Sequence, residues 1–172
     1  MDTAQIEEAL LSRTDINTRP FLGVYPINHI PWSKCVVPFC LIYNTAAWPS
    51  VGRHWVAISQ IEKDKVECFD SLNEGDFYPN ELANLAPVVT YNSLQLQSNC
   101  SSVCGEYCIF YIYCRLKGIP FQQIVTCFSP TKLGENDKLV YKIVHSNFAI
   151  SKRPRPYPVI NKKCIQSSVP SM

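Results

Sequence analysis

The run SSVCGEYCIFYIYCRLKG, residues 101 to 118, constrains the fold of this chain more than any other stretch. Its pattern predicts an apolar helix of about four turns, with the serines as N-cap candidates and Gly118 as a C-terminal stop. Cys104 falls in its first turn. Such a helix needs a core around it. A chain of 172 residues, 47% hydrophobic and 12% aromatic, can bury one substantial core as a single domain over residues 1 to 150. No repeat or low-complexity tract points to a solenoid or collagen-like architecture.

Around that helix the sequence alternates in character. TAQIEEALLS, residues 3 to 12, places Ile6, Ala9 and Leu10 on one face of a short capped helix. FLGVYPINHIPW carries Pro26 and Pro31 and is expected to run as an extended segment and loop. VVPFCLIYNTA reads as a buried strand ending near Asn44. HWVAISQI, residues 54 to 61, and KVECFDS, residues 65 to 71, are β-rich runs joined by EKD, which predicts an antiparallel hairpin. FYPNELANLA predicts a short helix begun by Pro79, and VVTYNSLQLQ a strand leading into a polar loop. Helices are expected around PFQQIVTCF and NDKLVYKIVHSNF, the latter with Leu139, Val140, Ile143, Val144 and Phe148 at helical spacing.

Charge and cysteine content narrow the function classes. A formal charge of +2 gives no general warrant for nucleic-acid binding. Residues 151 to 172 combine four prolines with five basic residues, as a tail or extended strap would, which leaves room only for a weak nucleic-acid contact there. No apolar run reaches the roughly 18 to 20 residues of a membrane span, and the acidic, amphipathic MDTAQIEEALLSR is unlike a signal peptide. A soluble intracellular monomer, cytoplasmic or nuclear, is the expectation. Nine cysteines without a secretory signal predict mostly free thiols, with Cys40, Cys68, Cys108 and Cys114 as small buried hydrophobes.

Cys104 is placed differently. A helix N-terminus and a neighbouring imidazolium both favour a thiolate, and Gly105 after it removes a side chain where a substrate backbone would approach. The base must come from His29, His54 or His145. His29 lies in a proline-flanked loop and His145 late in a helix among polar residues, whereas His54 opens a strand just past the Gly52 loop. Antiparallel pairing of that strand with the next brings Asp70 beside His54, where it can accept from the far ring nitrogen. The Cys104 amide supplies one oxyanion donor, and Gln97, across the loop SNCSSV, is a candidate for a second. Taken singly, Gln97 also reads as an exposed loop residue.

The segments GRHWVAI, ECFDSL and LQSNCSSVCGEYC, in that order, resemble the adenovirus endopeptidase family and its relatives in Maverick or Polinton transposons and some large DNA viruses. The likeness runs from FLGVYP at 21 to SNF at 148 and includes YNTA at 43 to 46. It implies an α+β papain-like cysteine protease fold of the adenain and ubiquitin-like-protease type, with a central mixed sheet flanked by helices. It also implies that His54, Asp70, Gln97 and Cys104 are the catalytic set and that Trp55 helps form a narrow substrate channel, its other reading being core packing. Asp70 departs from the glutamate of the adenoviral enzymes but keeps the acid role. The implied activity is endopeptidase cleavage of viral or transposon-encoded capsid and structural precursors, with virion packaging. No metal or cofactor is expected, and nothing in the sequence calls for a DNA or peptide activator.

Other readings stay open. The same fold serves deubiquitinating or deSUMOylating isopeptidases and acetyltransferases, so it does not settle the acyl acceptor. A capsid-associated interaction protein is the non-enzyme alternative. Cys100, Cys104 and Cys108 lack the partner set of a zinc site, and Cys100 as nucleophile lacks both the following glycine and the helix.

Overall fold

The computed structural model describes residues 1–50 and 52–151. Beyond Ser151, the expected basic tail lies outside the described residues. One mixed sheet is built from β1 (Phe21–Pro26), β2 (Phe39–Asn44), β3 (Trp55–Glu62), β4 (Lys65–Phe69) and β5 (Val88–Tyr91), in that spatial order. The outer pairs β1–β2 and β4–β5 are parallel, and the inner pairs β2–β3 and β3–β4 are antiparallel. Helices α1 (Thr3–Leu11), α2 (Leu82–Leu85), α3 (Cys104–Leu116), α4 (Phe121–Val125) and α5 (Leu133–Asn147) complete the architecture. It fits the α+β arrangement the resemblance implies. No helix among the described residues is long and apolar enough to cross a membrane.

The sheet is covered on both faces, which is why β2 reads as an unbroken apolar run. All six of its residues are buried. Phe39, Leu41 and Tyr43 face one cluster with Val56, Ile58 and Leu82, while Cys40 and Ile42 face the other with α1, α3 and α5. FLGVYP is a strand rather than only an extended approach, because Phe21 and Val24 bury into the larger cluster while the backbone pairs with β2. Gly23, at a φ of 123° that side chains rarely tolerate, sits where the register shifts between Phe21 and Val24.

Helix ends follow local chemistry, with one departure. Asp2 forms a capping box with Gln5 at the start of α1. Gly118, at a φ of 80°, ends α3 in a Schellman motif, with Ile119 N–H donating to Cys114 and Gly118 N–H to Arg115. The expected serine N-cap of α3 is absent: the cap position is Val103 and no side chain caps it. Ser101 instead donates its hydroxyl to the Ser98 carbonyl, in the turn before the helix. The first-turn amides of α3 are therefore left without a side-chain acceptor. In α5, Val140 and Val144 are buried, Phe148 is buried just past the helix end, and Leu139 lies outside this stripe at 44% exposure.

A polar cluster ties α3 to the sheet. Glu67 of β4 lies 2.7 Å from Arg115 Nε and 2.9 Å from Lys65 Nζ. Tyr111 donates to Glu67 and shares a hydrogen bond with Ser59, and its ring stacks on Phe69 at 4.6 Å. Removing one partner of a buried ion pair strands the other charge. Arg115→Met is therefore expected to lower the unfolding free energy by about 3 kcal/mol in urea titration. A loss below about 0.5 kcal/mol would show that Lys65 alone sustains Glu67.

Candidate active site

The β3–β4 hairpin positions the first two predicted residues. Ala57 pairs with Phe69, so Asp70 leaves β4 beside the chain entering β3, and His54 immediately precedes that strand. His54 Nε2 lies 2.6 Å from Asp70 Oδ1, with the two side chains 2% and 0% exposed. Asp70 Oδ1 also accepts from the Leu72 amide, and Oδ2 accepts from the Glu74 amide and the Tyr78 hydroxyl. Asn92 holds the Asp70 peptide from both sides, accepting from its N–H at 2.8 Å and donating to its carbonyl at 2.6 Å.

These contacts decide the charge state. Burial pushes Asp70 toward the neutral acid, but the hydrogen bond from His54, the imidazolium charge and the two amides outweigh it and hold the carboxyl below its ordinary value. Burial also disfavours the His54 cation, yet the Asp70 carboxylate and the Cys104 sulfur together raise its pKa to about 9. At neutral pH the two form a buried ion pair.

The loop before His54 is closed by Asn44, whose Oδ1 accepts from the Ala46 and Arg53 amides, both at 2.9 Å. A Cβ on Gly52 would lie 2.9 Å from Asn44 Nδ2, so this turn leaves no room for a side chain there. The Thr45 amide donates to the His54 carbonyl and completes the closure.

Cys104 opens α3, half-buried, and is the sulfur that acts on His54. With Nε2 committed to Asp70, the nitrogen left for the sulfur is Nδ1, which is buried and has no hydrogen bond of normal geometry. Cys104 lines a cleft of about 480 Å³ whose walls include Met1, Tyr25, Trp48, Arg53 and Trp55. Trp55 also packs on the larger core cluster.

Gln97 is a buried residue, 1% exposed, and not a surface loop glutamine. Its Oε1 accepts from Ser71 Oγ at 2.7 Å and its Nε2 donates to the Ser101 carbonyl, which aims the amide nitrogen at the turn that precedes Cys104. One N–H of that group is left uncommitted by these contacts.

Gly105 is placed otherwise than expected. It is buried, it does not line the cleft, and a Cβ there would lie 3.2 Å from Met1 Cβ and 3.4 Å from Ile6 Cδ1. Its missing side chain leaves room for the N-terminal segment. His29 is exposed and His145 lies 3.1 Å from Glu106 on the far side of α3, so neither joins the cleft. Cys100 is exposed in the turn before α3 and does not line the cleft. No metal-binding group of three His, Cys, Asp or Glu side chains exists among the described residues.

Sequence reasoning missed Tyr78, Asn92, Ser71 and Met1. Asn92 follows β5 and Ser71 follows Asp70, positions where polar residues ordinarily mark turns, so neither carried a distinguishing signal.

No family model matches the sequence. The chain is similar to the protease of bovine adenovirus 7, with 26% identity over 176 residues covering 85% of this chain and 87% of the relative. This similarity and the site define a protease of cysteine type. Within that class the likeness is to the adenovirus protease. Solved structures similar to it include the ASFV pS273R protease, at a TM-score of 0.47 and 23% identity over 66% of this chain. The chain spans 44% of that protein's length. The central domain of Lpg1148 from Legionella pneumophila has a TM-score of 0.45 and 14% identity, covering 85% of this chain and 95% of that domain.

Proposed function

We propose that this protease is an endopeptidase in which Cys104 is the nucleophile, His54 the acid and base, Asp70 the orienting acid and Gln97 an oxyanion donor. The observation that carries the reading is the buried His54–Asp70 pair at 2.6 Å, with the second ring nitrogen left for a cysteine at a helix start. The Cys104 thiolate attacks the scissile carbonyl carbon, and the carbonyl π pair becomes an oxyanion facing the Cys104 amide and the Gln97 Nε2. As the oxyanion collapses, the C–N bond breaks and His54 gives its Nδ1 proton to the departing amine, leaving a thioester. Water then attacks the thioester, His54 Nδ1 takes its proton, and the sulfur leaves as thiolate. Asp70 keeps the imidazole in one orientation through both steps and stabilises its cation.

The substrates we infer are capsid or other structural precursors of the virus or transposon that encodes the chain. The similarity to an adenovirus protease supports this, and the cleft about Cys104 has room for a peptide segment. Mass spectrometry after treatment with glycine-ended electrophiles, one set on peptides and one on ubiquitin-like modifiers, tests the reading. Labelling at Cys104 by the peptide probe alone is expected. Labelling by a modifier probe would move the function to deconjugation, and no labelling at Cys104 would exclude both.

A further inference from the structure

We propose that Met1–Thr3 forms a substrate-contacting wall of the cleft, a strap clipped to the residues that follow His54 and Cys104 in sequence. This rests on the proteolytic reading of the same cleft. Trp55 Nε1 donates to the Met1 carbonyl at 3.2 Å. On the other side the Met1 side chain lies over Gly105, where an added Cβ would stand 3.2 Å from Met1 Cβ and 3.5 Å from Sδ. A third anchor is the capping box, in which the Asp2 amide donates to Gln5 Oε1 at 3.0 Å and the Gln5 amide to Asp2 Oδ1 at 2.9 Å.

The strap is thus not a loose end. Its helix is seated by Ile6, Ala9 and Leu10, all at 0% exposure, and Met1, Asp2 and Thr3 all line the cleft with Cys104. An extended polypeptide crossing the cleft to reach the sulfur runs along this wall, whereas a molecule of a few atoms does not. The strap therefore contributes recognition of a polypeptide chain and leaves the intrinsic reactivity of the sulfur unchanged. Glycine at 105 fits this packing, since an added Cβ would press on Met1 and Ile6 and require them to give by a few tenths of an ångström.

The experiment compares the full chain with Trp55→Phe, which keeps the ring but removes the N–H donor, and with Gly105→Ala, which pushes on Met1 from outside the cleft. Rates of Cys104 modification are measured with iodoacetamide and with a glycine-ended peptide electrophile, after thermal unfolding has confirmed that each variant folds. In both variants the peptide probe is expected to slow about tenfold, while in Gly105→Ala iodoacetamide is expected to stay within about twofold. If Gly105→Ala does not fold, Gln5→Ala serves in its place, since it opens the capping box and Gln5 does not line the cleft.

Unchanged peptide-probe rates in both variants would overturn the proposal. So would parallel slowing of both probes in Gly105→Ala, which would place the effect on the reacting pair. Slowing in Trp55→Phe alone would assign the contact to the indole and remove the strap from the argument. Failure of the peptide probe to label Cys104 in the unsubstituted chain is a separate outcome. It overturns the catalytic reading, and the strap with it.

Discussion

Cys104→Ala is expected to lower peptide turnover about a million-fold, the loss seen when a covalent nucleophile is removed from a triad that works as a unit. Cys100→Ser is expected to stay within about twofold of the unsubstituted rate. The contrast follows from placement. Cys104 occupies the first turn of α3, with the helix dipole and the uncapped amides directed at it, and it lines the cleft beside His54. Cys100 is exposed in the preceding turn and shares none of these. Steady-state cleavage of a peptide substrate decides the matter. Retained turnover in Cys104→Ala together with silence in Cys100→Ser would reverse the assignment.

Asp70→Asn is expected to lower kcat by about ten-thousand-fold while the chain still folds, on the pattern of other orienting acids. The amide places an N–H₂ among donors. Asp70 accepts from Leu72, Glu74 and Tyr78 as well as His54, so one of these contacts becomes a clash of donors and stability falls by about 1 to 3 kcal/mol.

The pH profile carries the sharper signature. His54 titrates at about 9, above its ordinary value, so its stabilising pairing is complete below about pH 6.5 and is lost as pH rises through about 9. Asp70 is shifted downward, so its contribution is complete above the ordinary carboxylate range and is lost as pH falls through its lowered value. In the proposed mechanism peptide turnover needs the His54 proton for the leaving amine, so it should fall through about pH 9. In Asp70→Asn that alkaline limb should move toward the ordinary histidine range. A tenfold or smaller loss with the limb still near 9 would mean that another group orients His54.

What the sequence disclosed, and what it withheld, follows the range of the forces involved. The hairpin that joins His54 to Asp70 was legible because alternation and the EKD connection act within 20 residues. The start of α3 was legible from one apolar run, and Cys104 from its place in that run. Gln97 was recognisable as a candidate, but its burial depends on Ser71, 26 residues away, and on the turn at Ser101. Gly105 was read as leaving room for a substrate backbone, and the groups that an added Cβ would meet there are Met1 and Ile6. Both are brought there by α1 docking on α3, which no local pattern encodes. Asn92 reaches Asp70 across 22 residues, through the parallel pairing of β4 and β5.

The fastening of Tyr111 to Phe69 and Ser59 has a kinetic corollary. The sulfur rides on α3 and the imidazole on the sheet, so their spacing is only as steady as the contact between those two bodies. A ring stacked face to face and hydrogen-bonded to the strand beneath it resists axial slip of the helix at about two turns from Cys104. Backbone amides in the middle of α3 should therefore exchange with deuterium only when the whole domain opens, while those of β5 at the sheet edge exchange through smaller fluctuations. The sulfur and the imidazole are thus carried at the ends of two elements that are expected to open together.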